Sequence, residues 1–344
     1  MAVVKANAYG HGAARIAETA LAAGANRLGV ATVEEAMQLT CSGIEAPIHI
    51  LSEAPPNPGD SAAIVENGYV ATVCRRETAE SLAAAARDAK SRVKVHVKVD
   101  TGMNRLGLPA DPETVASFMV MLNESEYLDA EGIFTHFATS DDPESPFPST
   151  QLARFGDVLA VLKEQNLCPP IRHAANSAAI IGFPESHLDM VRAGIAMYGL
   201  RPSLAMAGRA DLRPALALKA KVSFVKEVQP GEGVSYGLTF RPSAQTVIAT
   251  LPLGYADGYS RLLSNKTNVL INGMSAPNAG TICMDQFMVD ATGIAGVEPG
   301  SVCTLIGEDG GAAITADMLA ERLGTINYEI VCMISSRVPR VYTA

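Results

Sequence analysis

Lys5 stands at the end of a short apolar run in the string AVVKANAYGHG, with a Gly-containing polar turn behind it. A lysine so placed suits an amine that reacts with an aldehyde. Strand burial orients it and disfavours its charged form, and the turn leaves room for a ligand. Lys98, Asp100 and Arg105 fall in VHVKVDTGMNRLG, and His136 falls in GIFTHFATS. His173, Asn176 and Ser177 follow in RHAANSAA, then Arg192, Gly194 and Ile195 in VRAGIAMYG. Any one of these is more often structural than functional, but so many sites at the ends of successive apolar runs are an improbable coincidence.

Those runs read as strands at 2–5, 27–31, 47–51, 69–73, 93–98, 130–135, 171–174 and 188–192. Helical patterns fit between them at 13–24, 33–42, 60–67, 77–90, 111–122, 150–166 and 177–182. Eight strands alternating with helices are what a closed parallel (β/α)8 TIM-type barrel requires. An open doubly wound sheet is the alternative, but no G-x-G-x-x-G follows the first strand. The pattern changes after about Arg213. Alternating strands at 216–228, 245–251, 268–271, 286–290 and 301–306, with a helix near 315–323, read as a mostly β C-terminal domain. The expected domains are 1–210 and 211–344, joined through the Pro- and Gly-containing stretch 201–215. The acidic, Pro-rich segment 140–149 reads as a solvated loop.

Barrel active sites lie in the loops after the strands, and the loops after strands seven and eight often hold a phosphate. Lys5, Lys98, Asp100 and His136 are expected to end their strands there. Ser177 opens a predicted helix, with a hydroxyl and free amides for an anion, or as a plain N-cap. The amides of Gly194 and Ile195 and the hydroxyls of Tyr9 and Tyr328 complete a candidate phosphate cup. In VKVHVKV the valines share one face and Lys94, His96 and Lys98 the other, so part of that polar face points into the barrel. Lys98 there is read either as snorkelling or as paired with Asp100.

The chain has 344 residues, 48% hydrophobic and 18% charged, enough for one large or two medium globular domains. A net charge of −9 argues against nucleic acid or an anionic membrane as the main partner. Met1 runs straight into an apolar strand, and no run has the length of a membrane span, so a cytoplasmic protein is expected. Six scattered cysteines lack zinc spacing and read as buried structural thiols, with no metal expected.

Taken in order, AVVKANAYGHG, KVDTGMNRLG, THFATS, HAANSAA, VRAGIAMYG, VSYGLTF, GYADGYSR, GTICMDQ, INYEIVC and SRVPRVY resemble the motifs of the alanine racemases, from residue 2 to residue 342. These are pyridoxal-phosphate enzymes with a barrel fold. The resemblance implies that Lys5 forms the internal Schiff base with pyridoxal 5'-phosphate and later acts as one catalytic base. It makes Tyr236, in VSYGLTF, the second base on the opposite face. Arg192 is implied to face the pyridine nitrogen, with His136 buttressing the arginine and Tyr236. Arg105 and the Met284 amide are implied to bind the substrate carboxylate. Tyr9, Ser177, Gly194, Ile195 and Tyr328 are implied to hold the phosphate, and Asn176 joins the cofactor-binding set. Lys98 is implied to be carbamylated, giving an anion that orients Arg105. The implied assembly is a homodimer in which Tyr236 enters the partner's site. The implied product is D-alanine for peptidoglycan.

The chemistry agrees with those roles. Racemisation removes the α-proton from one face and returns one to the other, so two opposed bases are the minimal design. Serine or another small amino acid is the alternative substrate. Family members carry a further strand and helix before the cofactor lysine. If residues 1–344 are the whole protein, weak stability and lost activity are expected, and a non-catalytic pyridoxal-phosphate-binding protein is then the alternative.

Overall fold

A computed structural model describes residues 1–53 and 55–343. The chain forms two compact units, residues 1–8 with 12–213 and residues 9–11 with 214–344.

In the first unit the strands are β1 (Ala2–Val3), β2 (Leu28–Val30), β3 (Ile48–Ile50), β4 (Val70–Val73), β5 (Val93–Asp100), β6 (Leu108–Pro109), β7 (Leu128–Phe134) and β8 (Ile171–His173). All pair in parallel, in the order β1-β2-β3-β4-β5-β7-β8, with β6 a spur on β5. Residues 189–193 close the ring. The Asp189 and Arg192 amides donate to Arg172 O and Ala175 O, both at 3.0 Å. On the other side the Ala193 amide donates to Met1 O at 3.0 Å, and the Val3 amide to Ala193 O at 2.8 Å. The sheet is therefore a closed eight-stave barrel, as expected. Its eighth stave is only an isolated bridge between Ala2 and Ala193, not a full strand.

The helices are α1 (Ala13–Ala22), α2 (Val33–Cys41), α3 (Pro58–Glu66), α4 (Arg76–Asp88), α5 (Pro112–Asn123), α6 (Phe147–Glu164) and α7 (Ser177–Gly182). Side-chain caps start several of them: Thr32 accepts from Glu35 N, Asn57 from Gly59 N and Asp111 from Thr114 N. Proline follows directly at Pro58 and Pro112, where a missing N–H costs nothing. In α4 the buried residues are Ala79, Leu82 and Ala86, a stripe at helical spacing.

Strands β2 to β4 are buried along their whole length, which is why they read as unbroken apolar runs. β5 differs. Its four valines are buried, and so are His96 and Lys98 from the other face, while Lys94 is exposed. The polar face of β5 thus fills the barrel interior. Only Cys303 among the six cysteines is buried; Cys41 and Cys332 are exposed, which corrects the expectation of buried thiols.

The second unit contains β9 (Leu218–Lys221), β10 (Phe224–Val228), β11 (Thr246–Leu251), β12 (Asn268–Ile271), β13 (Met274–Pro277), β14 (Phe287–Asp290), β15 (Val302–Asp309) and β16 (Ala312–Ile314). Two helices follow, α8 (Ala316–Leu323) and α9 (Asn327–Cys332). β10-β11-β14 form one sheet and β13-β12-β15-β16, with β9 on β15, form another. The expected run 216–228 is broken between β9 and β10, and α9 was not legible in the β-rich string INYEIVC. Residues 9–11 are held within this unit. Gly10 O accepts from Arg340 Nε and Nη2 at 3.1 and 2.9 Å, and Tyr342 donates to His11 O at 3.1 Å. Gly10 has φ +81°, and a Cβ there would lie 2.0 Å from Val331 O, so only glycine fits.

Candidate active site

Lys5 does not end β1. It stands two residues beyond Val3 and begins a left-handed turn, with φ near 52° at Ala6, Asn7, Ala8 and Tyr9. Left-handed L-residues each cost roughly 1–2 kcal/mol, so the turn must be held from outside. Glu35 Oε1 accepts from Ala6 N at 2.7 Å, Val4 O from Ala8 N at 2.8 Å, and Asn7 O from Gly12 N at 2.9 Å. Asn7 Oδ1 accepts in turn from Ala13 N at 2.9 Å. Backbone strain of this kind collects where a side chain must be presented rather than packed. Here it presents a half-buried Lys5.

Arg192 is 4% exposed, and its guanidinium is held by hydrogen bonds to four acceptors. The two hydrogens of Nη2 are shared among Thr135 O at 2.9 Å, Ala174 O at 2.7 Å and His136 Nδ1 at 2.9 Å, and Nη1 donates to His173 Nδ1 at 2.8 Å. No partner occupies Nε among the described residues. Burial, with Arg105 nearby, lowers its pKa to about 9, which leaves it cationic at neutral pH. His136 is pushed well below the usual histidine range, first by burial and then by the Arg192 charge. A neutral His136 accepting at Nδ1 carries its proton on Nε2. The strand-end expectation for His136 is off by two residues, since β7 closes at Phe134. Gln151, fully buried on α6, fixes this segment: Nε2 donates to His136 O and Thr101 Oγ1 at 3.0 and 3.1 Å, and Oε1 accepts from Ala138 N at 2.9 Å. Nothing in the sequence marks Gln151 apart from an ordinary helix position.

Asn176, not Ser177, is the N-cap of α7, its side chain accepting from Ala179 N at 3.0 Å. Ser177 Oγ instead accepts from Gly194 N at 2.9 Å and Ala196 N at 3.3 Å. With its acceptor capacity used, the hydroxyl hydrogen is left to donate. The Gly194 amide is spent on Ser177, which corrects its expected role as a free donor. Ile195 opens a 3-10 turn, where backbone amides lack intrahelical partners.

Lys98 is 4% exposed, and its Nζ donates to Val99 O at 2.8 Å. Burial, then the Arg192 charge, lowers its pKa to about 8. It does not pair with Asp100, whose Oδ1 accepts from Gly102 N and Asn104 N at 2.9 and 3.0 Å and so shapes the loop carrying Arg105. Arg105 is exposed and forms no ion pair among the described residues.

The remaining candidates belong to the second unit. The Tyr9 and Tyr328 rings lie 6.1 Å apart, and burial raises the Tyr9 pKa to about 12. Tyr236 sits in a turn with positive φ at Ser235, Gly237 and Leu238, pinned where Thr281 Oγ1 donates to Tyr236 O at 2.8 Å. Its side chain is left 71% exposed. Tyr236 and Met284 line one cleft of about 530 Å³ with Tyr255 and Arg261.

Residues 1–202 match the family model "Alanine racemase, N-terminal domain", and residues 215–342 match "Alanine racemase, C-terminal domain". The chain belongs to the alanine racemase family. It is 47% identical to the alanine racemase of Desulfovibrio desulfuricans over 340 residues, covering 99% of this chain and 90% of that protein. Among solved structures, the alanine racemase of D-cycloserine-producing Streptomyces lavendulae aligns with a TM-score of 0.94 at 39% identity, covering 100% of this chain and 90% of that one. The alanine racemase of Bacillus anthracis with bound L-Ala-P aligns with a TM-score of 0.93 at 41% identity, covering 100% and 88%. As a member of the alanine racemase family, the chain is an isomerase of the racemase class.

Proposed function

We propose that this chain interconverts L-alanine and D-alanine by a two-base reaction, with pyridoxal 5'-phosphate held on Lys5, supplying D-alanine for peptidoglycan in the cytoplasm. The observation that carries the reading is the buried Arg192 guanidinium. Four acceptors fix it and Nε is left over. Arginine so fixed fits a ring nitrogen that accepts a hydrogen bond, and the unspent Ser177 hydroxyl hydrogen fits a phosphate. Names of related proteins support the substrate, including a structure described with bound L-Ala-P.

When bound, pyridoxal phosphate supplies an electron-withdrawing ring that acidifies the α-proton of an attached amino acid. Lys5 holds it through its amine. Lys5 Nζ, freed when the substrate's own amine displaces it, would take or return the α-proton on one face and Tyr236 Oη would do so on the other. Arg192 lends a hydrogen bond and keeps its proton, so it withdraws less charge than an acid would and favours prompt proton return over transamination. His136 and Asn176 keep the rim in place around it. Arg105 and the Met284 amide take the substrate carboxylate. Ser177 and Ile195, with Tyr9 and Tyr328, take the phosphate, and Gly194 acts by holding Ser177.

Ser177→Ala removes one charge-assisted donor and leaves two amides without their acceptor. We expect cofactor affinity to fall about tenfold, read by absorbance titration, with kcat at saturating cofactor nearly kept. Unchanged affinity would place the phosphate elsewhere.

Lys98 is proposed to be carbamylated, because only a neutral amine adds carbon dioxide and its pKa of about 8 leaves a reactive fraction at neutral pH. The carbamate signal from 13C-bicarbonate should grow from pH 7 to pH 9 as the amine deprotonates, and should vanish in Lys98→Ala. A wild-type spectrum without that signal would remove the idea.

A homodimer is proposed in which Tyr236 serves the partner's site. Tyr236, Tyr255 and Met284 are 71%, 41% and 52% exposed around one cleft, an apolar surface that suits a protein partner. Activity and dimer content should fall together on dilution; a fully active monomer would contradict it.

The reading as a whole is tested by a coupled assay for D-alanine from L-alanine, beside the same assay with L-serine. Borohydride should abolish the visible cofactor band and the activity together. Turnover of serine in preference to alanine would overturn the substrate assignment.

A further inference from the structure

Below Arg192 a line of buried polar groups runs through the barrel, and the roles proposed above use none of it beyond the arginine. Arg192 Nη1 donates to His173 Nδ1 at 2.8 Å. His173 Nε2 lies 2.8 Å from His96 Nδ1, and His96 Nε2 lies 3.0 Å from Glu131 Oε2. Both imidazoles are wholly buried. At the far end Glu131 accepts from Arg27 at 2.6 Å and Lys94 at 2.7 Å. Arg27 directly precedes β2 and Lys94 is the second residue of β5, so the line ends towards the N-terminal rim, away from the strand ends that carry the site.

The direction of each hydrogen bond from Arg192 to Glu131 is fixed by the two ends; Arg27 Nη1 also lies 3.4 Å from His96 Nε2, a longer approach than the 3.0 Å to Glu131. A guanidinium can only donate and a carboxylate can only accept. His173 must therefore accept at Nδ1 and carry its proton on Nε2. That proton goes to His96 Nδ1, so His96 also carries its own on Nε2 and gives it to Glu131. Burial pushes both histidines below their usual range, so both are neutral. The hydrogen bond from His96, then those from Arg27 and Lys94, holds the Glu131 carboxyl well below the usual carboxylate range.

Packing confines the His96 ring, while the hydrogen bonds set its tautomer. The His96 ring lies against Gly132, where a Cβ would fall 2.4 Å from its Nδ1. On its other side is His49, with ring centroids 4.4 Å apart. His49, His96 and His173 bring ligand nitrogens within 4.8 Å of one another. A metal there would have to break the His96–His173 bond and sit between Arg192 and Arg27, so the cluster reads as a relay and not as a metal site.

We propose that Glu131 is a positioning residue for Arg192, acting through His96 and His173 to lock both imidazoles in one tautomer and so hold the guanidinium in register for the cofactor ring. This rests on the assignment of Arg192 to that ring. Without the acceptor at Glu131, His96 is free to carry its proton on Nδ1. His173 must then turn an N–H towards Arg192 Nη1, two donors face each other, and the spare Nε–H loses its aim.

The test is imidazole 15N and 1H NMR of the cofactor-loaded protein, with steady-state kinetics on alanine. In the wild type both His96 and His173 should be Nε2–H tautomers with strongly downfield Nε2 protons. Glu131→Gln keeps an acceptor oxygen but not its charge. The His173 proton, two hydrogen bonds away, should move upfield while kcat falls several-fold at nearly constant KM. Glu131→Ala should give mixed tautomers and about a tenfold loss in kcat, the scale of one cooperative hydrogen bond. If Glu131→Ala does not fold, the Gln variant carries the test. A wild-type Nδ1–H on either ring, an unmoved His173 proton in Glu131→Gln, or unchanged kcat overturns the proposal. Arg192→Lys separates the two assignments. Wild-type kcat there, with the histidine signals as described, would show that Arg192 is misassigned while the relay stands.

Discussion

Lys5→Ala is expected to abolish racemisation in both directions, by about 10⁴-fold or more. The substitution removes one of two acid–base groups, each supplying on the order of 10²–10⁴-fold, together with the covalent anchor of the cofactor. The fold should survive it. The strained turn after β1 is held by the backbones of Ala6, Ala8 and Gly12 and by the Asn7 side chain, with Glu35 and Val4 as partners. Circular dichroism should therefore match the wild type while D-alanine formation is lost. Borohydride treatment followed by peptide mass mapping should find the cofactor on the Lys5 peptide of the wild type and on no peptide of the variant. Activity within tenfold of wild type, or cofactor fixed on another lysine, would contradict the assignment.

Tyr236→Phe removes a single hydroxyl from a side chain that is 71% exposed. Stability should change by no more than about 0.5 kcal/mol. Racemisation should nevertheless fall by about 10²–10⁴-fold, and equally in both directions, because the two enantiomers are equal in free energy. The discriminating result is one-sided. In D2O the enantiomer whose α-proton faces Lys5 should still exchange it, while the other should not. Equal exchange of both enantiomers at the wild-type rate would mean that Tyr236 is not a base.

Why the sequence revealed so much of the barrel is plain from its strands. Leu28–Val30, Ile48–Ile50 and Val70–Val73 are buried on both faces, and the apolar run is the direct consequence. The helix expected at 33–42 starts where Thr32 caps it, whereas those expected at 60–67 and 111–122 start at Pro58 and Pro112, behind the caps Asn57 and Asp111. The eighth stave was placed close to correctly at 188–192, although it forms little ladder, because the ring needs it for closure. Alternation in β5 sets Lys94, His96 and Lys98 on one polar face, part of which must point into the barrel; the fold buries His96 and Lys98 and leaves Lys94 exposed.

What escaped was geometry that one sequence does not encode locally. Four left-handed residues after Lys5 include two alanines and a tyrosine, which have no preference for that conformation; Glu35, thirty residues away, imposes it. Asn176 and Ser177 are adjacent, and only the hydrogen bonds separate the cap from the anion donor. Arg27, Glu131 and Gln151 look like ordinary surface or helix residues until the fold buries their polar atoms. Helix α9 was missed because Ile330 and Val331 favour strands, and tertiary packing of both residues in the core overrides that preference.

The measurement that tests the two-base claim most directly is racemisation of protiated L-alanine in D2O, stopped at low conversion and resolved by chiral chromatography with mass detection. Lys5 and Tyr236 on opposite faces predict that the D-alanine formed carries deuterium at the α-carbon, since the returning proton comes from a base that exchanges with solvent. D-alanine that retains the original α-hydrogen would mean a single base, and no D-alanine at all would contradict the proposed activity.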